Sequence, residues 1–325
     1  FISGSAPVRS GMTKVGRPGA AEGWQKTDVT MATILKSQGY MTGQFGKNHL
    51  GDRDEMLPTA HGFDEFFGNL YHLNAEEEPE RPYWPKDDAE FVKAASPRGV
   101  IHSYADGKIE DTGALNKKRM ETIDDETTAA AQAFIEKQAK ADKPFFVWMN
   151  TTRMHAFTHV RESMKGQSGM IGNEYADGML EHDGDVGKLL KTLDDLKLTE
   201  DTVFVFSSDN GFYLGEHNLG DKRTAYEESM RVPLIAFGGG MPGGRVVDEI
   251  VANIDIAPTF LALAGTAAPQ GVRFDGMSYA DLMMGRPFRG PWRTSLSYEY
   301  YWEYNYPQTP TTFALRGDRY KYIQY

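Results

Sequence analysis

Val203-Phe-Val-Phe-Ser-Ser-Asp-Asn-Gly211 sets four apolar, β-prone residues against two serines, a carboxylate, an amide and a glycine. A short apolar run bounded by turn residues reads as a strand buried on both faces, as in parallel sheets covered by helices. Two more stretches have the same build. Phe145-Phe-Val-Trp-Met149 runs into Asn150-Thr-Thr-Arg153-Met-His155-Ala-Phe-Thr-His159. Met41-Thr-Gly-Gln-Phe45 runs into Gly46-Lys47-Asn48-His49-Leu50-Gly51. Val232-Pro-Leu-Ile-Ala-Phe237 is a further core strand. Helical patterns separate these runs: residues 31–36, capped by Asp28 and ended by Gly39; residues 124–141; residues 175–198, with Met179, Val186, Leu189, Leu190 and Leu193 at helical spacing; and residues 254–264, capped by Asn253 or Asp255. Strands alternating with helices predict an α/β fold with a mostly parallel central sheet and helices on both faces. Residues 70–122, rich in Pro, Glu, Tyr and Asn, read as irregular. Beyond about residue 290, Tyr298, Tyr300, Tyr301, Trp302, Tyr304 and Tyr306 mark the start of a small antiparallel subdomain.

In such sheets ligands bind beyond the carboxyl ends of the strands. Asp209 and Asn210 offer the hard oxygen ligands that Ca²⁺ or Mg²⁺ prefers. Lys47 and His49, two apart in a glycine-bracketed loop, can reach one anionic group. Arg153, His155 and His159 come after the second strand, and Glu216, His217, Lys222 and Arg223 lie a little beyond Asp209. The set suits hydrolysis of an anionic ester: a divalent cation and ammonium groups neutralise its oxygens, and an imidazole protonates the leaving oxygen. Blander readings compete. Asp-Asn-Gly alone is commonly a turn, and His61, His72, His102 and His182 read as solvated or capping residues. Gly46-Lys47 is no P-loop, since position 41 is Met and position 48 Asn. Gly238-Gly-Gly-Met-Pro-Gly243 carries a proline and leads into a strand-like Arg245-Val-Val-Asp, which argues against a dinucleotide fingerprint. Asn150-Thr-Thr matches a glycosylation sequon but ends an apolar strand, which argues against its use.

The chain has 325 residues, 40% hydrophobic and 25% charged, which excludes disordered, collagen-like and coiled-coil classes. It has no cysteine, so disulfides, thiolate metal sites and cysteine nucleophiles are excluded within these residues. The formal charge of −11 and the lack of any Lys/Arg-rich run argue against nucleic acid as a partner. No apolar run approaches the roughly 18 residues of a membrane span. The chain opens at Phe1 without an initiator Met or basic leader and closes on Asp318-Arg-Tyr-Lys-Tyr-Ile-Gln-Tyr325, which reads as a fragment cut at both ends.

Five motifs in order resemble those of the sulfatase family, of the alkaline-phosphatase-like superfamily. Gly46-Lys-Asn-His-Leu-Gly51 is similar to the family's G-K-x-H-L-G, and Ser208-Asp-Asn-Gly211 to its metal-binding S/T-D-N-G. Lys222 with Tyr226-Glu227 and Arg231-Val-Pro233 resembles its K-x-x-x-Y-E…R-V-P stretch; Asn253-Ile-Asp-Ile-Ala-Pro-Thr259 and Asp275-Gly-Met-Ser278 also match. The resemblance implies a sulfuric ester hydrolase acting on aryl or carbohydrate sulfates, periplasmic or secreted. It implies a catalytic domain over residues 1–288 and a partial β subdomain over 289–325. By residue, it implies Asp209 and Asn210 as Ca²⁺ ligands, Lys47 and Lys222 on the sulfate oxygens, and His49 on the nucleophile side. His155 would stand by the leaving oxygen, with His159 the alternative, while Glu216, His217 and Arg223 would shape the substrate pocket. From residue 211 onward the chain resembles a different branch, that of glycosaminoglycan-type sulfatases.

The family's nucleophile is a formylglycine made from Cys or Ser by a formylglycine-generating enzyme. Ser5-Ala-Pro-Val-Arg9 spells the Ser form of the precursor motif. However, Phe1-Ile-Ser-Gly4 resembles the segment just after the motif, which puts the nucleophile before Phe1 and leaves Ser5 as the in-chain candidate. The polypeptide as it stands is then expected to be inactive and to bind Ca²⁺ poorly. Two other functions remain open: a phosphatase or phosphonate hydrolase of the same superfamily, and a catalytically dead module that binds anionic glycans.

Overall fold

The computed structural model describes residues 1–325. The chain forms two compact units, one of Pro7–Lys197 and one of Phe1–Ala6 with Leu198–Tyr325.

The first unit is built on a five-stranded sheet of β1 (Met41–Gly46), β2 (Glu65–Gly68), β3 (Ile101–Tyr104), β4 (Ile109–Asp111) and β5 (Phe145–Asn150), in the order β4-β3-β2-β1-β5. Its heart is parallel, with β1 flanked by β2 and β5; β3 and β4 extend one edge antiparallel. Both were hidden in the stretch that reads as irregular, because each is only three or four residues long. β1 is buried from Thr42 to Gly46 although Thr42 and Gln44 are polar. Thr42 can lie inside because its hydroxyl donates to the Gly62 carbonyl at 2.7 Å, and the Gln44 amide donates to Asn48 Oδ1 at 3.1 Å. These bonds offset part of the cost of burying the two side chains, although Gln44 Oε1 has no hydrogen-bond partner. Phe45 packs on Phe134 of the helix Ile123–Lys140, ring centroids 5.6 Å apart.

The helix Met31–Ser37 is capped by Thr30, whose hydroxyl accepts from Thr33 N, and not by Asp28, whose carboxylate accepts from Gln25 N. In the long helix Glu174–Asp195, Leu189 and Leu193 are buried as their spacing predicts, but Met179 is 43% exposed. Asp177, Gly178 and Asp185 are buried instead. Asp177 can turn inward because it accepts from Gly166 N at 2.8 Å and Ser168 N at 2.9 Å, and Asp185 because it pairs with Lys188 at 2.8 Å.

The second unit holds β6 (Val203–Ser207) antiparallel to β9 (Leu234–Gly238), the short pair β7 (Tyr213–Leu214) and β8 (Gly220–Asp221), and a C-terminal sheet of β10 (Ser295–Tyr300), β11 (Thr312–Gly317) and β12 (Lys321–Gln324). That last sheet is antiparallel throughout, as the aromatic composition suggests. The helix Ile256–Leu263 comes after a 3₁₀ turn at Asn253–Asp255. Asp255 is no simple cap: it is fully buried, accepts from the backbone of Ala252 and Met277, and pairs with Arg293. No helix is long and apolar enough to cross a membrane.

Candidate functional site

In the first unit the candidate residues collect where parallel strands end. Gly46 closes β1 at φ +95°, and a Cβ there would stand 1.8 Å from the Asn150 carbonyl, so only glycine lets the two strand ends meet. Lys47 N then donates to Asn150 O at 2.8 Å, and Asn150 Nδ2 returns a bond to Lys47 O at 3.1 Å. This exchange engages the sequon asparagine in holding the Lys47 loop. Beyond Lys47, His49 Nε2 lies 3.1 Å from the Gly16 carbonyl. Its ring stacks on His72, centroids 5.3 Å apart and planes at 18°. His72 in turn meets His155 edge-on, 5.5 Å away at 69°. His49 and His155 thus belong to one row of imidazoles whose middle member, His72, is among those given the blander reading from sequence.

His155 sits in a loop under tight backbone control. Asp124, fully buried at the start of its helix, accepts from Thr152 N at 2.6 Å and Arg153 N at 3.0 Å. Burial raises its pKa, and the Arg153 guanidinium 3.9 Å away opposes that rise. Arg153 also pairs with Glu181 at 2.8 Å and donates to the Glu121 carbonyl at 2.9 Å. Met154, next in line, is left-handed at φ +70°, a conformation non-glycine residues adopt only when surroundings impose it. Thr158 closes the turn by donating twice to the His155 carbonyl. His159 is engaged differently: its Nε2 lies 2.7 Å from Glu77, a buried carboxylate that also pairs with Arg81.

The remaining histidines have structural partners. His61 is buried beside the Glu55 carbonyl at 2.9 Å and stacks on Trp24. His102 pairs with Glu65 across β2 and β3 at 2.9 Å. His182 meets the Thr151 hydroxyl at 2.9 Å, and burial lowers its pKa.

In the second unit Asp209 and Asn210 lie just beyond β6. Gly211 is required, because a Cβ there would be 1.9 Å from the Glu228 carbonyl. Asn253 Nδ2 holds the turn by donating to the carbonyls of Ser208 (3.1 Å) and Asp209 (2.8 Å). Asp209 Oδ1 accepts from Asn210 N at 2.9 Å. Asn210 uses its Nδ2 on Gly211 O at 2.7 Å, which leaves its side-chain oxygen as a ligand. The donor chemistry fits a hard divalent cation. No group of three His, Cys, Asp or Glu residues is close enough to hold a metal, so these two oxygens fit part of a coordination shell. A cavity of about 560 Å³ in this unit opens at the other end of β6, beside Glu200, Asp201 and Val203, and is not this site.

Lys222 comes directly after β8, and its carbonyl accepts from the Ser229 hydroxyl at 2.5 Å. Its neighbours are committed locally. Glu216 accepts from Leu214 N at 2.6 Å. His217 stacks on Tyr226 at 4.5 Å and lies 3.2 Å from Glu228. Arg223 pairs with Asp221, lies 3.5 Å from Glu303 and 3.4 Å over the Tyr306 ring. A guanidinium held by two carboxylates and a ring is a pin for its loop, and its charge is already compensated. Ser5, the in-chain nucleophile candidate, donates to the Ser3 carbonyl at 3.3 Å, in a segment tied to Asp275 through Gly4 O and Ala6 N.

An α/β unit with basic and imidazole side chains at parallel strand ends, and an Asp-Asn turn beyond a further strand, has the features of the alkaline-phosphatase-like fold. The family model described as Sulfatase matches residues 1–266, and the chain belongs to the sulfatase family. A second model, described as N-sulphoglucosamine sulphohydrolase, C-terminal, matches residues 215–325, close to where the sequence changes its branch resemblance. The chain is 31% identical over 308 residues to dog N-acetylgalactosamine-6-sulfatase, covering 88% of this chain and 56% of that protein. It is 28% identical to human arylsulfatase A, covering 99% and 63%. The crystal structure of the PsFucS1 sulfatase from Pseudoalteromonas sp. superposes with a TM-score of 0.81 at 27% identity, over 98% of this chain and 66% of that one. The chain therefore spans less than two thirds of the length of these relatives.

His72, Asn69, Glu77 and Asp124 escape a reading by sequence pattern. The signal that could have found the first three is the strand-end rule itself: Phe66-Phe-Gly68 is a further parallel strand, and Asn69–Glu77 lies directly beyond its carboxyl end.

Proposed function

We propose that this chain is the greater part of the catalytic domain of a sulfuric ester hydrolase that cleaves aryl or carbohydrate sulfates through a formylglycine nucleophile and Ca²⁺. The observation that carries the proposal is the assembly of Lys47, His49 and His155 at adjoining ends of parallel strands, in a chain of the sulfatase family. Dog N-acetylgalactosamine-6-sulfatase and the sulphoglucosamine family model favour a saccharide sulfate. Residues 1–288 would be the catalytic domain and 289–325 part of a β subdomain. An exported, periplasmic or secreted protein fits this chemistry, as does maturation by a formylglycine-generating enzyme.

In this reading Lys47 and Lys222 place ammonium charge against the non-bridging oxygens, where charge redistributes as the ester breaks. His155 delivers a proton to the leaving oxygen, and His49 orients the nucleophile side. Asp209 and Asn210 would hold part of the Ca²⁺ shell, and the bound cation would add positive charge at the ester oxygens. Formylglycine would supply the attacking hydroxyl. Glu216, His217 and Arg223 act indirectly, by fixing the loop that carries Lys222.

The test is the complete gene expressed with a formylglycine-generating enzyme and assayed on nitrophenyl sulfate, nitrophenyl phosphate and sulfated saccharides. Turnover of a sulfate ester supports the reading; turnover of the phosphate alone replaces it with a phosphatase, and binding of sulfated glycan without turnover replaces it with a binding module. Residues 1–325 alone are expected to bind Ca²⁺ weakly, since two side-chain oxygens fall short of the about six to eight that Ca²⁺ takes. Tight binding in titration calorimetry would overturn that expectation.

A further inference from the structure

The segment Asn69–Glu77 meets His49, His155 and His159 and is bonded to the loop that carries Lys47. Asn69, fully buried, accepts from Asn48 N through its carbonyl at 2.8 Å and from the Thr152 hydroxyl through Oδ1 at 2.9 Å. Its Nδ2 donates to the Tyr71 carbonyl at 2.8 Å. One residue thus joins the Lys47–His49 loop, the loop carrying His155 and its own loop. Tyr71 donates to the Asp52 carboxylate, and its ring meets His49 edge-on at 6.0 Å. Burial holds the Glu76 carboxyl well above its usual range, with Lys47 opposing. Glu77 engages His159. At the centre stands His72, its flat face on His49 and its plane at 69° to that of His155.

We propose that His72 is a positioning residue of the site, a flat spacer that sets the ring planes of His49 and His155. The proposal rests on the assignment of those two imidazoles to the reaction. Proton transfer demands a directed hydrogen bond, so a ring free to swing about its side-chain torsions loses much of its effect. The His49 ring is restrained on one side by the Gly16 carbonyl and on another by His72. Removing the His72 ring frees the second restraint and opens space beside His155.

The test compares His72→Leu with His72→Phe, two apolar side chains of similar bulk of which only the second is flat. Imidazole ¹H–¹⁵N spectra of the full chain, assigned with His49→Gln and His155→Gln, read ring environment without any need for turnover. The Leu variant is expected to shift or broaden both the His49 and His155 signals, and the Phe variant to restore them. In the formylglycine-bearing enzyme, kcat should fall about tenfold or more for Leu and stay within about threefold for Phe, with KM in both within about threefold. Equal spectra and equal kcat for the two variants would overturn the proposal. Displaced signals in a protein that hydrolyses no sulfate ester would leave the spacer standing and remove the sulfatase reading.

Discussion

The two units hold their candidate residues by different means. In Pro7–Lys197 the imidazoles are fixed by buried, directional contacts: Asp124 on two backbone amides, Asn69 on three loops, and ring on ring through His72. In the unit containing Leu198–Tyr325, Lys222 rides on strands of two residues, steadied by the Arg223 pin and by His217 on Tyr226. The difference matches the work proposed for each. An imidazole that moves a proton must point along one line, whereas an ammonium that neutralises charge acts through a Coulomb field with little angular demand. Buried, directional contacts serve the first, and a loop pinned from outside suffices for the second.

That contrast can be broken most forcefully at the two lysines. Lys47→Ala and Lys222→Ala are each expected to lower kcat of the complete, formylglycine-bearing enzyme by about 10²–10³-fold, the usual effect of removing one charge stabiliser. Arginine should restore more activity at 222 than at 47, because Lys222 follows a strand of two residues, whereas the Lys47 loop is bonded to both Asn150 and Asn69. Equal rescue in steady-state assays would erase the distinction between the two loops.

A stability comparison comes next. Asp124→Ala strips two buried amides of their acceptor and takes one of two carboxylates from Arg153, and is expected to cost about 3–5 kcal/mol in urea unfolding. Arg223→Ala, at a partly exposed pin, should cost about 1–3 kcal/mol. A reversed order would mean the second unit is the more tightly built. Asn69→Ala removes the side-chain bonds to the Thr152 hydroxyl and the Tyr71 carbonyl but keeps the carbonyl that holds Asn48 N; about 1–3 kcal/mol should be lost, with amide exchange faster around Thr152 and little changed at Asn48. Unchanged exchange around Thr152 would show that the Asn69 side chain does not hold the loop that carries His155.

The smallest effect concerns acid. Burial lowers the pKa of His182 in the folded state below its unfolded value, so the unfolded chain binds the extra proton first. The stability this group contributes is present above the unfolded pKa of about 6.5 and is lost as pH falls toward the folded value. His182→Gln should therefore lose less stability than the wild type between pH 7 and pH 5, measured as a difference in denaturant midpoint. Parallel pH profiles for the two proteins would show that His182 is not the group involved.

Much of the architecture was legible because local chemistry demands it. All four apolar runs form strands, and Gly46 and Gly211 mark tight turns, but only β1 is buried along its length: β6 is half-buried, and β9, expected in the core, exposes Leu234, Ile235 and Phe237. The aromatic tail from Tyr298 forms the predicted antiparallel sheet. What the pattern hid were elements too short to show a period, β3 and β4, and a cap shifted from Asp28 to Thr30 by which hydroxyl could reach Thr33 N. Met179 faces outward while the Asp177 and Asp185 face turns inward, held by two backbone amides on Asp177 and by Lys188 on Asp185, contacts invisible to a count of apolar spacing.

By itself the sequence determined which chemical groups are available and that they lie just beyond strands, since residue type and apolar run length are local properties. Only the tertiary structure decided which of them meet. His72 lies more than 20 positions from His49 and over 80 from His155 in the chain, yet its ring touches both. The parallel register that aligns the ends of β1, β2 and β5 brings about this meeting, and it is set by backbone pairing across the sheet. The same holds for Arg223: its charge was plain in the sequence, but its neutralisation by Asp221 and Glu303 is a property of the folded chain.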